Sequence, residues 1–229
     1  MQPINVIITG TTGMVGEGVM LECLNHPKIA SVLSVSRKPS GHQHPKLTEY
    51  LVPDFMDIQP NDENLKGYDA CFFCAGISSI GKNEADYTRV TYDTTLHFAG
   101  VVAGLNPGSS FVYVSGAGTD STEHGRQMWA RVKGRTENAL TRLPFKKVCN
   151  FRPGVMKPVD GQLHVLKWYK YAGWMFPAVK RFFPNSASTI QQVARAMIVC
   201  ATTVAGRKTL EVKDINRLSN KWGEAINHF

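Results

Sequence analysis

The chain has 229 residues, 43% of them hydrophobic and 19% charged, with a formal net charge of +8 at pH 7. That composition excludes disordered and collagen-like classes and leaves a chain long enough to bury a substantial core, expected as one domain spanning 1–229. The basic balance would suit nucleic acid, an anionic membrane or a polyanionic cofactor. Its basic residues are scattered without a block, so a solvated surface with no nucleic-acid partner is the expectation.

Ile4 to Ile8 is an apolar, β-branched run without alternation, the pattern of a strand buried on both faces of a parallel sheet. Gly10, Gly13 and Gly16 follow with the spacing G-x-x-G-x-x-G, and an apolar stretch with helical spacing comes next. Gly10 suits the tight turn, Gly13 a close approach of backbone to a pyrophosphate, and Gly16 a close helix–strand contact. The helix N-terminus then favours an anion. Because the triplet stands between a strand and a helix, it predicts a dinucleotide site.

Val15, Val19, Met20, Cys23 and Leu24 form a helical stripe that ends before Pro27, and Ile29 to Val35 reads as the second strand. A fold preferring the non-phosphorylated cofactor carries an acidic residue near that strand's end for the ribose 2′-OH. Here Ser36, Arg37 and Lys38 stand instead. Two cations are what a 2′-phosphate needs, so NADP is expected over NAD.

Leu47 to Val52 is a third strand leading to Asp54 and Phe55. Tyr68 to Gly76 is a fourth, ending in the small residues Cys74, Ala75 and Gly76 that let a cofactor pass. Asn83 to Ala103 reads as a long helix stopped at Asn106-Pro107-Gly108, and Phe111 to Val114 as the fifth strand. Gly125 to Leu143 is helical, and Lys147 to Phe151 is a sixth strand closed by Arg152, Pro153 and Gly154. This alternation predicts a Rossmann-type, doubly wound parallel α/β sheet.

After Gly154 the alternation stops, and 155–187 is read as a substrate-side lid within the domain. Segment 163–183 mixes aromatic residues with Lys167, Lys170, Lys180 and Arg181 and is broken by Pro177 and Pro184. A lid or subunit contact in a homodimer is preferred there over an interfacial membrane helix. Ser188 is expected to cap a helix bearing Ile190, Val193, Ala194, Met197 and Ile198. Thr209 to Val212 reads as a strand, and Asp214 as the start of a last helix.

The five cysteines are Cys23, Cys71, Cys74, Cys149 and Cys200. Cys71 and Cys74 make a C-x-x-C, but their odd separation on a strand points them to opposite faces, and no second pair or nearby histidine completes a zinc site. No metal is expected. All five are read as buried thiols of a reducing compartment. With the first strand beginning almost at once and no apolar run near 18 residues, a cytoplasmic protein is expected.

These features together resemble the short-chain dehydrogenase/reductase superfamily. The residues that carry the likeness are T-G-x-x-G-x-x-G at the start, the C-A-G strand end, Y-V-S-G-A-G at 113–118, V-K-G on the helix and R-P-G at 152–154. The likeness is to its extended and atypical branches, including the Tat-interacting-protein-type oxidoreductases and epimerase-like bacterial proteins. It implies a cofactor-binding set of Gly10, Thr12, Gly13, Met14, Val15, Gly16, Arg37, Lys38, Asp54, Phe55, Cys74, Ala75, Gly76, Lys133, Pro153, Gly154 and Val155. It also implies a catalytic set of a serine and a Tyr-x-x-x-Lys pair. Ser115 and Lys133 match the serine and the lysine, but Trp129 stands at the tyrosine position. An indole N–H donates without titrating usefully, so Trp129 cannot be the general acid. It is either a stacking surface or a packed helix residue. Ser115 is equally a strand-end turn residue. Other candidate acids are Tyr87, Tyr92, Tyr113 and His124, with nothing to choose among them. The resemblance implies an NADP-dependent oxidoreductase acting on a small carbonyl or alcohol. The alternative is an NADP(H)-binding sensor with little turnover.

Overall fold

A computed structural model describes residues 2–165, 176–183, 185–203 and 209–226. The apolar run at the start forms β1 (Ile4–Thr9), flanked in parallel register by β2 (Ile29–Ser36) and β4 (Ala70–Phe73). Beyond them lie β3 (Leu47–Leu51), β5 (Ser110–Val114), β6 (Lys147–Arg152) and β9 (Thr209–Glu211). Among the described residues the sheet has seven strands in the order β3-β2-β1-β4-β5-β6-β9, and every neighbouring pair is parallel. This is the doubly wound order, with its topological switch between β1 and β4.

Each inner strand sends alternate side chains to two cores, as the two-residue strand period requires. Val6, Ile8, Phe72, Val112 and Phe151 enter one core, under α1 (Met14–Leu24), α6 (Ile190–Thr202) and the start of α7 (Val212–Ile226). Ile7, Phe73, Phe111 and Tyr113 enter the other, under α3 (Thr94–Leu105) and α4 (Met128–Leu140). The long helix expected over 83–103 is interrupted. Asn83 caps α2 (Glu84–Thr88) by accepting from Asp86 N at 2.8 Å. A π-helical turn at Arg89–Asp93 then re-aims the chain before α3 begins.

Four expectations need correction. The alternation does not simply stop at Gly154: β7 (Val155–Lys157) pairs in parallel with β8 (Ala187–Thr189) in a small second sheet. The cap of α6 is Thr189, which makes a reciprocal capping box with Gln192; Ser188 instead donates to Asn216 Oδ1 at 2.8 Å. The last helix opens at Val212, and Asp214 lies in its first turn. Finally, not all five cysteines are thiols, because Cys149 and Cys200 are disulfide-linked, which leaves Cys23, Cys71 and Cys74 free. Cys149 points from β6 into the first core, and Cys200 lies on the inner face of the helix covering it. A separation of 51 residues hides that meeting in the sequence.

Of the segment 163–183, residues 166–175 lie outside the described residues, while α5 (Phe176–Phe182) is helical. No helix among the described residues is long and apolar enough to cross a membrane.

Candidate functional site

At the C-terminal ends of β1, β2 and β4 the chain leaves a cleft of about 550 Å³. Of the expected cofactor set, Gly10, Thr12, Gly13, Arg37, Asp54, Phe55, Cys74, Ala75 and Gly76 line it.

The three glycines have different physical reasons. Gly10 has φ +71°, and a Cβ on it would lie 2.7 Å from Ala75 N. A Cβ on Gly16 would lie 2.2 Å from Gly10 O, so α1 could not sit this close to the turn. Gly13 is different: its φ of −122° suits any residue, and its nearest protein atom would be Gly10 O at 3.4 Å. Among the described residues nothing demands glycine there, and Gly13 borders the cleft. No side chain caps α1, so its first N–H groups remain available to an anion. This cradle, which a larger side chain would fill, fits a dinucleotide pyrophosphate.

Around it, Thr9 Oγ1 accepts from Cys74 N at 3.2 Å and Ala75 N at 3.1 Å, tying the end of β4 to β1. Ser36 Oγ donates to Lys38 O at 2.7 Å, which folds the β2 end back and leaves both basic side chains exposed. Arg37 borders the cleft, whereas Lys38 is not among its lining residues. Asp54 accepts from Met56 N at 2.9 Å and caps the turn at Phe55–Asp57.

The three residues expected to be catalytic, Ser115, Trp129 and Lys133, do not line this cleft. Lys133 is half-buried and donates from Nζ to Ser115 O. Burial lowers its pKa to about 8, with the Glu137 carboxylate resisting. Ser115 Oγ donates to Glu137 Oε1 at 2.5 Å and is buried. Glu137, one helical turn beyond Lys133 and fully buried, also accepts from Arg152 Nε at 3.0 Å and Nη2 at 2.5 Å. Arg152 further reaches Glu211 at 3.1 Å. The serine hydroxyl is therefore held by an internal ion pair. Trp129 is half-buried, its ring edge 3.4 Å from where a Cβ on Gly118 would stand.

Other members of the expected set make framework contacts, although the backbone N–H groups of Met14 and Val15 are among those that α1 offers an anion. Met14 O accepts from Gln162 Nε2 at 2.6 Å, and Met14 and Val15 pack on the first core. Pro153 O accepts from Ala117 N at 2.9 Å. A Cβ on Gly154 would meet Ser186 O at 2.2 Å, and Val155 belongs to the small sheet. Among the other candidate acids, Tyr87 and Tyr113 are buried, with their pKa values raised by that burial. Tyr92 lies under the Arg135 guanidinium at 4.4 Å, and His124 is exposed. None of the four lines the cleft.

Two carboxylates and one cation carry more of the arrangement than the motifs disclosed. Glu17, in the first turn of α1, is wholly buried and accepts from Leu163 N at 2.6 Å, His164 N at 2.8 Å and His42 Nε2 at 2.8 Å. It pins both 162–164 and the loop after Arg37 to the phosphate helix. Glu137 stands four residues after Lys133, a spacing that does place both on one helical face. Arg89 lines the cleft from the π turn.

Fold and cleft together define a Rossmann-type nucleotide-binding protein whose phosphate turn lies at the switch point. The profile of the NAD dependent epimerase/dehydratase family matches residues 6–124, just over half of the chain, and the protein belongs to that family, within the atypical short-chain dehydrogenase/reductases. The chain is 25% identical over 158 residues to Protein HTATIP2 of Rattus norvegicus, covering 68% of this chain but only 64% of that protein. It is 24% identical over 204 residues to the protein fmp52-1, mitochondrial, of Aspergillus oryzae, covering 83% and 84% of the two chains. The fold is shared with the Bordetella bronchiseptica enzyme WbmF, solved in complex with NAD+. Its TM-score is 0.64 at 15% identity, covering 99% of this chain and 79% of that one.

Proposed function

We propose that this chain is an NADP(H)-dependent oxidoreductase of the atypical short-chain type, acting on a small carbonyl or alcohol. The observation that carries the reading is the cleft itself. It joins a Gly13 cradle that only a ligand requires to an exposed Arg37, where a ribose-binding carboxylate would otherwise stand. A bound nicotinamide would supply hydride transfer. The chain's own part is to hold the pyrophosphate on the α1 N-terminus, the 2′-phosphate on Arg37 and the adenosine between Phe55 and the β4 end. Of Ser115, Trp129 and Lys133, Lys133 is the group able to exchange a proton near neutrality, since burial brings its pKa to about 8. The segment 155–187 would close the substrate side, supported by the attachment of 162–164 to Glu17. We place the protein in the cytoplasm as a homodimer with no nucleic-acid or membrane partner. The competing location is an organelle, favoured by the mitochondrial name of the fungal relative and by the Cys149–Cys200 disulfide, which is uncommon in a reducing cytosol.

A second reading is an NADP(H)-binding sensor with little turnover. It is favoured by the Ser115 hydroxyl being held by Glu137 and by Trp129 at the tyrosine position. Oxidation of NADPH against a panel of small carbonyls separates the two. Turnover that falls in Ser115→Ala and Lys133→Met supports the oxidoreductase. Tight binding without turnover selects the sensor. Turnover indifferent to both substitutions moves the chemistry away from this trio.

A further inference from the structure

The cleft contains a second guanidinium that no motif anticipates. Arg89 opens the π-helical turn between α2 and α3 and borders the same cleft as Arg37. Its place along the cleft follows from the packing of α3. The rings of Phe98 and Phe55 stack at 5.2 Å, and His97 Nε2 lies 2.9 Å from Ile58 O. The helix therefore stands on the turn that follows β3, over the adenosine half of the switch point. Arg89 precedes Phe98 by roughly two and a half turns, toward the open ends of the strands.

The two cations and two carboxylates around the cleft differ in their partners. Asp54 and Asp86 also border the cleft, but both carboxylates are engaged locally, Asp54 by Met56 N at 2.9 Å and Asp86 by Asn83 Nδ2 at 2.7 Å. The guanidiniums of Arg37 and Arg89 make no hydrogen bond or ion pair among the described residues. By contrast, Arg131, Arg152 and Arg195 pair with Glu84, Glu137 and Glu22. The carboxylates keep their charge, but the two guanidinium forks have no hydrogen-bond acceptor among the described residues, and a doubly charged group with several acceptor oxygens suits two forks at once. Of the two β2-end cations only Arg37 lines the cleft, and alone it would satisfy only part of that valence.

We propose that Arg89 and Arg37 grip the 2′-phosphate of the bound adenosine moiety from the two walls of the cleft, which makes Arg89 a specificity-determining residue for the phosphorylated cofactor. This rests on the NADP(H) reading above. The test titrates wild type, Arg37→Ala and Arg89→Ala with 2′,5′-ADP and with 5′-ADP by calorimetry, with circular dichroism as the folding control. Arg89→Ala should weaken 2′,5′-ADP by about tenfold to a hundredfold, the loss of a charge-assisted contact, while 5′-ADP changes by less than about threefold. If Arg37→Ala weakens 2′,5′-ADP but Arg89→Ala leaves it unchanged, or weakens both nucleotides alike, the role of Arg89 is overturned and the NADP(H) reading stands. If the wild type binds 5′-ADP and gains nothing from the 2′-phosphate, the NADP(H) reading itself fails and Arg89 falls with it.

Discussion

Two glycines three residues apart should fail for opposite reasons. In Gly16→Ala the new Cβ would stand 2.2 Å from Gly10 O and 2.9 Å from Thr9 O, both backbone atoms that cannot swing away. Overpacking of this kind costs about 1–3 kcal/mol. At roughly 2–4 °C per kcal/mol for a domain of this size, the melting temperature should fall by roughly 2–12 °C. In Gly13→Ser the Cβ meets nothing closer than Gly10 O at 3.4 Å, and φ is −122°, so the backbone is unstrained. Serine is moreover a good N-cap, so stability should hold or rise by a few tenths of a kcal/mol. Yet the side chain fills the cradle. Loss of one hydrogen bond to a charged phosphate is worth about 1.5–3 kcal/mol, or about tenfold to a hundredfold in NADPH affinity. Thermal melts and NADPH fluorescence titration on both variants read the two effects apart. Gly13→Ser binding NADPH like the wild type would refute the assignment of the cradle, and Gly16→Ala melting like the wild type would refute the packing argument.

Other consequences follow from the buried charges. Lys133 has a folded pKa of about 8 against the ordinary 10.5, so the unfolded chain holds that proton to higher pH and stability should rise as pH climbs from about 8 to 10.5. Urea midpoints of Lys133→Met should lack that slope, and an identical slope would place the titration elsewhere. For Glu17, burial raises the pKa, but His42 and the N–H groups of Leu163 and His164 outweigh it and hold the value below 4.5. Its contribution is complete above about pH 4.5 and is lost as pH falls through the lower folded value, so Glu17→Gln should flatten the acid limb of the stability profile. Glu137→Gln breaks a buried pair with Arg152 and should cost about 3–5 kcal/mol in urea unfolding; a cost under about 1 kcal/mol would contradict the geometry.

Much of the fold was legible because its strands are continuous apolar runs and its turns carry glycine. β1, the phosphate turn and α1 were readable as a unit, and so was the parallel succession through β6. The pair β7 and β8 was not, since two three-residue strands about thirty residues apart carry no periodicity. The π turn at Arg89–Asp93 was equally hidden, because one extra residue barely disturbs an apolar stripe, and with it went Arg89. Nothing in the sequence sets Glu17 apart from an ordinary first-turn acid on a helix. Only the distant segment 162–164 and His42, arriving from elsewhere in the chain, make it a buried hub. Ser115 was placed correctly at the end of β5, but the direction of its hydroxyl depends on Glu137 and Arg152, two charges that no local pattern pairs.

The central claim is that this cleft holds the phosphorylated dinucleotide, and parallel calorimetric titrations with NADPH and NADH on wild type and Arg37→Ala test it most directly. The account expects NADPH to bind wild type more tightly than NADH. Arg37→Ala should remove about 1–3 kcal/mol of NADPH binding while leaving NADH nearly unchanged. Equal wild-type affinities for the two cofactors, or an NADPH affinity that ignores Arg37, would contradict it.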